Sequence, residues 1–267
     1  MRLKDKIAIV TGGGSGFGEG ISKRFAQEGC KVVVNDINVE GGERVTREIN
    51  AAGGKAAFAK ADVSKDADWA TLLKVTLDTF GALHIVVNNA GTTHRNQPML
   101  GVSEEQFDRM YAVNVKSLFH SAKHCVPYFR TKGGGAFITV ASTAGVRPRP
   151  GLVWYNGSKG AAIVTSRSMA AELGPDKIRV NVVNPVAGDT PLLAEFMGGA
   201  DTPEMRAKFI ATIPLGRLSK PLDVANACLY LASDEAEFIS GACLEVDGGR
   251  CFRQLGRNLR RVQAENA

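Results

Sequence analysis

The chain has 267 residues, 44% hydrophobic and 22% charged, a composition that builds an ample core and excludes a disordered or fibrous protein. Its net charge of +6 is concentrated in residues 250–267, where Arg250, Arg253, Arg257, Arg260 and Arg261 stand against Glu265 alone. The rest of the chain is close to neutral, which gives no case for nucleic-acid binding, and no apolar run approaches the roughly 18 residues of a membrane span.

The N-terminal Met1–Lys6 runs directly into Ile7-Ala8-Ile9-Val10 with no signal-like segment, so a cytoplasmic protein is expected. Five cysteines without a C-x-x-C spacing fit reduced thiols, with no metal site. Ile7–Val10 reads as a buried strand, followed by Thr11-Gly12-Gly13-Gly14-Ser15-Gly16-Phe17-Gly18 and then by Ile21, Phe25 and Ala26 at helical spacing. Strand, glycine turn and helix together suit a phosphate cradle, because glycines admit close backbone approach and a helix N-terminus offers free N–H groups. The second strand, Lys31–Asp36, ends in an acid placed to hold ribose hydroxyls and to repel a 2′-phosphate, which favours NAD over NADP. The competing role for Asp36 is a helix cap, but Asn38 can cap the Val45/Ile49 helix instead.

A third strand is expected from Ala56 to Val63, a helix from Asp66 to Phe80, and a fourth strand at Ile85–Val87 leading into Asn88-Asn89-Ala90-Gly91. Alternating strands and helices imply a parallel sheet covered on both faces, with ligands beyond the carboxyl ends of the strands. One long helix from about Ser103 to Lys132 follows, with Asn114 in its interior. A fifth strand, Ala136–Ala141, leads to Ser142, and a sixth, Ile178–Val183, leads to Asn184-Pro185. Residues 186–220 are irregular with helical patches, as in a lid. A helix from Pro221 and a strand at Ala242–Val246 close the unit.

Between the fifth and sixth strands lies a helix carrying Tyr155 and Lys159. Residues four apart share a helix face, so the phenol and the ammonium point the same way, and a nearby cation favours phenolate. Such a pair can move a proton near neutral pH.

These motifs in this order resemble the short-chain dehydrogenase/reductase family, over about residues 3–249. The resemblance implies a single-domain Rossmann-type doubly wound α/β sheet of about seven strands, with helices on both faces. Residues 1–249 would form the domain, with a substrate lid at about 186–220 and a basic extension at 250–267. It implies hydride transfer between NAD(H) and a secondary alcohol or ketone, the alcohol being a small alcohol, a polyol or a hydroxy acid. Tyr155 would be the general acid/base, Ser142 would hydrogen-bond the substrate oxygen, and Lys159 would lower the tyrosine pKa and bind the nicotinamide ribose. Asn114 would anchor a water for proton relay. The cofactor would meet Gly12, Ser15, Gly16, Phe17, Gly18, Asp36, Ile37, Asp62, Val63, Asn89, Ala90, Gly91, Pro185, Val186 and Thr190. Val186 departs from the glycine often found there. Homotetramers are common in the family, with the Asn114 and Tyr155 helices at one interface and the last strand at another.

For the substrate, His94, Arg147, Arg149, Leu152 and Trp154 are candidates. Leu152 and Trp154 would supply apolar walls. A guanidinium facing the pocket would bind a carboxylate, sulfonate or phosphate, and one facing solvent or a neighbouring subunit would not. The second reading is a 3-oxoacyl carrier-protein reductase, opposed by Asp36 and by Ala171 where a cation is common in those enzymes. A third is a catalytically silent NAD-binding or scaffold protein, opposed by the Asn114, Ser142, Tyr155 and Lys159 set.

Overall fold

A computed structural model describes residues 1–199 and 201–252. The extension's Arg253, Arg257, Arg260 and Arg261 lie outside the described residues. Among the described residues the sheet has seven strands in the order β3-β2-β1-β4-β5-β6-β7, every pairing parallel. The strands are β1 (Ile7–Thr11), β2 (Lys31–Asp36), β3 (Lys55–Lys60), β4 (Ile85–Asn88), β5 (Gly135–Val140), β6 (Ile178–Pro185) and β7 (Cys243–Val246).

Continuous apolar runs suit strands buried on both faces. Ala8, Val10, Val32 and Val34 point into one core with Ile21, Phe25, Val224 and Leu229. Ile9 and Val33, one residue out of phase, point into the other with Trp69, Leu72, Phe129 and Phe137. The helices α1 (Gly16–Gln27), α2 (Val39–Ala51) and α9 (Pro221–Ala232) cover the first face. The second is covered by α3 (Asp66–Phe80), α5 (Ser117–Lys132) and α6 (Val153–Leu173). The strand order reverses between β1 and β4, which opens a crevice at their carboxyl ends.

Two expected elements differ. The third strand stops at Lys60 because Asp62 turns the chain: its Oδ1 accepts from the Ser64 amide and hydroxyl at 3.0 and 2.7 Å, while Asp68 accepts from the Asp62 amide at 2.7 Å. The single helix expected from Ser103 to Lys132 is broken. A capping box at Ser103 and Gln106 starts α4 (Glu104–Tyr111), a π segment spans Ala112–Lys116, and α5 then resumes. Asn114 lies inside the π segment, with its side chain bound to the Thr92 backbone. Residues 186–220 hold α7 (Leu193–Met197) and α8 (Pro203–Ile210) around their own core of Val186, Leu193, Met197, Phe209, Ile213 and Leu218. No helix among the described residues is long and apolar enough to cross a membrane.

Candidate active site

One cavity runs along the carboxyl ends of the strands. At one end the β1–α1 turn forms a cradle. Gly12 and Gly16 sit at φ +62° and +55°, where side chains are strained. A Cβ on Gly18 would lie 2.0 Å from the Gly12 carbonyl oxygen, so this glycine closes the turn and does not line the cavity. Ser15, at the α1 N-cap, makes no side-chain cap bond, so the first amides of α1 stay available to an anion. Thr11 and Asn89 fasten the turn to the end of β4. The Thr11 hydroxyl accepts from the Asn89 and Ala90 amides, both at 3.0 Å, and the Asn89 side chain donates to the Thr11 and Gly12 carbonyls at 2.8 and 3.2 Å. The Asn89 amide group, expected to meet the cofactor, is thus engaged in holding the turn.

Asp36 ends β2 at the cavity wall. Its Oδ2 accepts from the Gly14 amide and its Oδ1 from the Asn38 amide, each at 2.9 Å, while Asn38 itself caps α2. Beyond it, Ile37 is an exposed apolar wall. Burial pushes the Asp62 carboxyl up, but the Ser64 hydrogen bonds and the Lys65 charge outweigh this and hold it below its usual range. Val63, Ala90 and Gly91 continue this wall, and Pro185, Val186 and Thr190 face it from the β6 side. The glycine turn, the free helix amides and the acid after β2 together fit a dinucleotide.

At the other end Ser142 follows β5, and Tyr155 and Lys159 enter from α6. Both are buried, and the Lys159 Nζ donates to the Val140 carbonyl at 3.1 Å. That Nζ lies 6.0 Å from the Tyr155 ring centroid. Burial pushes the phenol up to about 12, with a Ser142 hydrogen bond and the Arg149 charge pulling the other way. Burial pushes Lys159 down to about 8. The expectation that Lys159 lowers the tyrosine is therefore not met in the free chain, where burial dominates both groups. Asn114 sits behind the cavity, bonding Thr92 at both its amide and carbonyl (2.9 Å each) and the Ser158 hydroxyl at 3.0 Å.

Leu152, Arg147 and Arg149 line the substrate end, together with Phe196, Phe209 and Arg250. His94 and Trp154 do not. His94 is buried with Nδ1 against the Arg95 carbonyl at 2.8 Å. Trp154 donates to the Met99 carbonyl at 3.0 Å and packs edge-on against Phe107. Consecutive helical residues diverge by about 100°, so a tryptophan next to a cavity-facing Tyr155 faces elsewhere. Sequence reasoning missed Phe196 and Phe209, which come from residues 186–220 without any periodic signal: Phe196 lies 5.2 Å from the Tyr155 ring, centroid to centroid, and Phe209 lines the cavity beside Arg149. It also placed Arg250 in the extension.

A family model described as enoyl-(acyl carrier protein) reductase matches residues 12–250. The chain is 52% identical to 4-formylbenzenesulfonate dehydrogenase of Comamonas testosteroni, over 94% of this chain and 99% of that one. It is 38% identical to a 2,5-dichloro-2,5-cyclohexadiene-1,4-diol dehydrogenase of Sphingobium indicum, over 93% and 97%. Among solved structures, a 3-ketoacyl-(acyl-carrier-protein) reductase from Brucella melitensis complexed with NADH superposes with a TM-score of 0.87 at 45% identity, covering 93% of this chain and 99% of that one.

Proposed function

The chain belongs to the short-chain dehydrogenase/reductase family, and on that premise we propose an NAD-dependent dehydrogenase for a ring-borne alcohol and its carbonyl partner. The observation that carries this reading is a single cavity holding a dinucleotide cradle at one end and Ser142, Tyr155 and Lys159 at the other. Two of the proteins named above, the formylbenzenesulfonate and the cyclohexadiene-diol dehydrogenases, are named for ring compounds, and apolar Leu152 and Phe196 wall the space beside Tyr155.

When bound, the nicotinamide supplies the hydride acceptor or donor. Tyr155 exchanges the proton of the substrate oxygen, and Ser142 donates a hydrogen bond to that oxygen as its charge changes. Lys159 binds the ribose, turning from the Val140 carbonyl, and its ammonium then offsets the burial that holds the phenol protonated. Asn114 keeps the loop at Thr92 and the Ser158 turn of α6 in register behind the reacting pair, and its place in the π segment suits a relay water. Asp36 selects NAD, since its carboxylate stands where a 2′-phosphate would come. Gly12, Ser15, Gly16 and Phe17 cradle the pyrophosphate, Asp62 and Val63 meet the adenine, and Thr190 holds the nicotinamide side. Residues 186–220 act as the lid of a unit spanning 1–249.

A homotetramer fits the apolar Phe119 and Val164 exposed on α5 and α6 and Leu244 exposed on β7. A cytoplasmic location fits five free cysteines. The carrier-protein reductase alternative lacks a basic docking residue at the exposed Ala171.

The test is formation of NADH or NADPH by purified protein with NAD or NADP and a panel of cyclohexanols and benzylic alcohols, and the reverse reaction with the corresponding ketones and aldehydes. Turnover with NAD supports the reading. Tight NADH binding without turnover in either direction would leave a silent nucleotide-binding protein.

A further inference from the structure

Arg149 is held on the stiff Pro148-Arg149-Pro150 loop and reaches into the substrate end of the cavity. Its guanidinium carbon lies 4.6 Å from the Phe209 ring centroid and 5.8 Å from that of Phe196. Its Nη2 donates to the Phe196 carbonyl at 3.2 Å. Arg250, just past β7, lies 5.9 Å from the same Phe209 centroid and donates to the Thr212 hydroxyl at 2.8 Å. The Arg147 side chain donates to the Arg250 backbone carbonyl and so ties the two loops together.

Two guanidinium groups thus lie against one aromatic ring, Phe209, at the cavity wall. Burial pushes Arg149 down to about 10, Arg250 adds like-charge repulsion, and among the described residues no carboxylate acts on it. A largely buried cation of this kind is costly until an anion meets it. The Phe196 centroid also lies 5.2 Å from the Tyr155 ring centroid. The phenol ring and the Arg149 guanidinium therefore both lie against one side chain, Phe196, in the same cavity.

We propose that Arg149 and Arg250 form an anion subsite, so that the preferred substrate is an aromatic alcohol or aldehyde with an oxyanion, sulfonate or carboxylate, opposite the reacting carbon. This rests on the dehydrogenase reading above. Phe196 and Phe209 supply the apolar faces for the ring, and the planar Arg149 fork holds two oxygens of the anion. Residue 250, outside the lid in sequence, becomes a specificity determinant.

The experiment measures kcat/KM with NAD for benzyl alcohol, 4-(hydroxymethyl)benzoate and 4-(hydroxymethyl)benzenesulfonate, in the wild type and in Arg149→Met, Arg149→Lys and Arg250→Met. In parallel, benzenesulfonate is titrated calorimetrically into the enzyme saturated with NADH. A charge-assisted pair predicts that one or both anions exceed benzyl alcohol by about 10- to 150-fold. Which anion leads separates the sulfonate from the carboxylate. The ratio should fall close to one in Arg149→Met, and to intermediate values in Arg149→Lys and Arg250→Met. Arg149→Lys, which keeps charge and stem, carries the comparison if Arg149→Met does not fold. Equal turnover of all three alcohols with no benzenesulfonate binding would overturn the subsite and leave the dehydrogenase standing. If no alcohol turns over although NADH binds, the dehydrogenase reading fails. The calorimetry then decides the subsite alone: binding that Arg149→Met abolishes upholds it, and no binding overturns it.

Discussion

Replacing Asp36 separates the two things this residue does. Its carboxylate holds the Gly14 and Asn38 amides at 2.9 Å each, and it faces the cavity where the adenosine ribose would lie. Asp36→Asn keeps an acceptor for a backbone amide and removes the charge, whereas Asp36→Ala removes both. A charged hydrogen bond to a ribose hydroxyl contributes about 1.5–3 kcal/mol, and a unit charge about 4 Å from a phosphate charge costs from about 1 to 4 kcal/mol between bulk water and a protein surface. Asp36→Asn should therefore weaken NAD roughly tenfold or more and move the NAD:NADP ratio of kcat/KM toward NADP by about 10²–10⁵-fold. Arg44 reaches the same turn, donating to the Gly14 carbonyl at 3.2 Å, but is claimed by Glu19 at 2.6 Å and Glu48 at 2.9 Å. Removing Glu19 as well should free Arg44 toward a 2′-phosphate and add to the shift. The assays are initial rates with both cofactors and fluorescence titration of NADH and NADPH. An unchanged ratio in Asp36→Asn, in a protein of wild-type stability, would refute the electrostatic account and leave Asp36 a turn-holding residue.

Tyr155→Phe keeps the ring against Phe196 and removes the proton-transfer group, so kcat should fall about 10²–10⁴-fold while NADH still binds, as read by fluorescence. Gly18→Ala drives a Cβ to 2.0 Å from the Gly12 carbonyl oxygen and 2.5 Å from the Asn89 Nδ2, so it should cost about 1–3 kcal/mol and weaken NADH. Gly53→Ala, at φ +83° with nothing within 4 Å, should cost only about 1–2 kcal/mol of backbone strain and leave NADH affinity alone. Lys159→Met should stabilise the free protein at pH 7, because the ammonium lowered from 10.5 to about 8 corresponds to roughly 3 kcal/mol of burial penalty. Loss of the Val140 bond offsets about 1 kcal/mol, leaving a melting-temperature gain of roughly 4–8 °C. Between about pH 8 and 10.5 the unfolded chain binds the extra proton, so wild-type stability rises with pH there. The variant's advantage should be full below that window and gone above it, by thermal melts across pH.

The frame was legible because buried parallel strands have a simple signature: every residue of β1 is apolar or small, and out-of-phase neighbours feed opposite faces. Glycine, proline and Asn38 marked the ends. The cradle and the Tyr155/Lys159 pair were legible for the same reason, since local geometry fixes where they point. Three features were not. The break in the helix at Asn114 depends on a distant partner, the Thr92 backbone, that no periodicity reveals. Trp154 was misplaced although the helix turn alone turns it away from Tyr155. Phe196 and Phe209 reach the site only through the core that residues 186–220 build around Val186, at a position where the family often has glycine.

The reacting pair also shows what a sequence spacing leaves unsaid. Four residues apart on a helix places a phenol and an ammonium on one side, and in water that proximity would favour phenolate. Here both lie in the interior, and burial acts on them in opposite senses, raising Tyr155 and lowering Lys159. Each is thereby pushed toward its neutral form, the state with the least catalytic use for the lysine. What still pulls the phenol down in the free chain comes from elsewhere, the Ser142 hydrogen bond and the Arg149 charge. On the proposed reaction, proton transfer near neutral pH would require charged and polar groups of the ligands to enter the same cavity and to draw the lysine away from Val140. On this account the fold supplies position and a dry site, and ligand binding supplies the final adjustment of charge. That is why removing Lys159 should make the free protein more stable and the enzyme inactive.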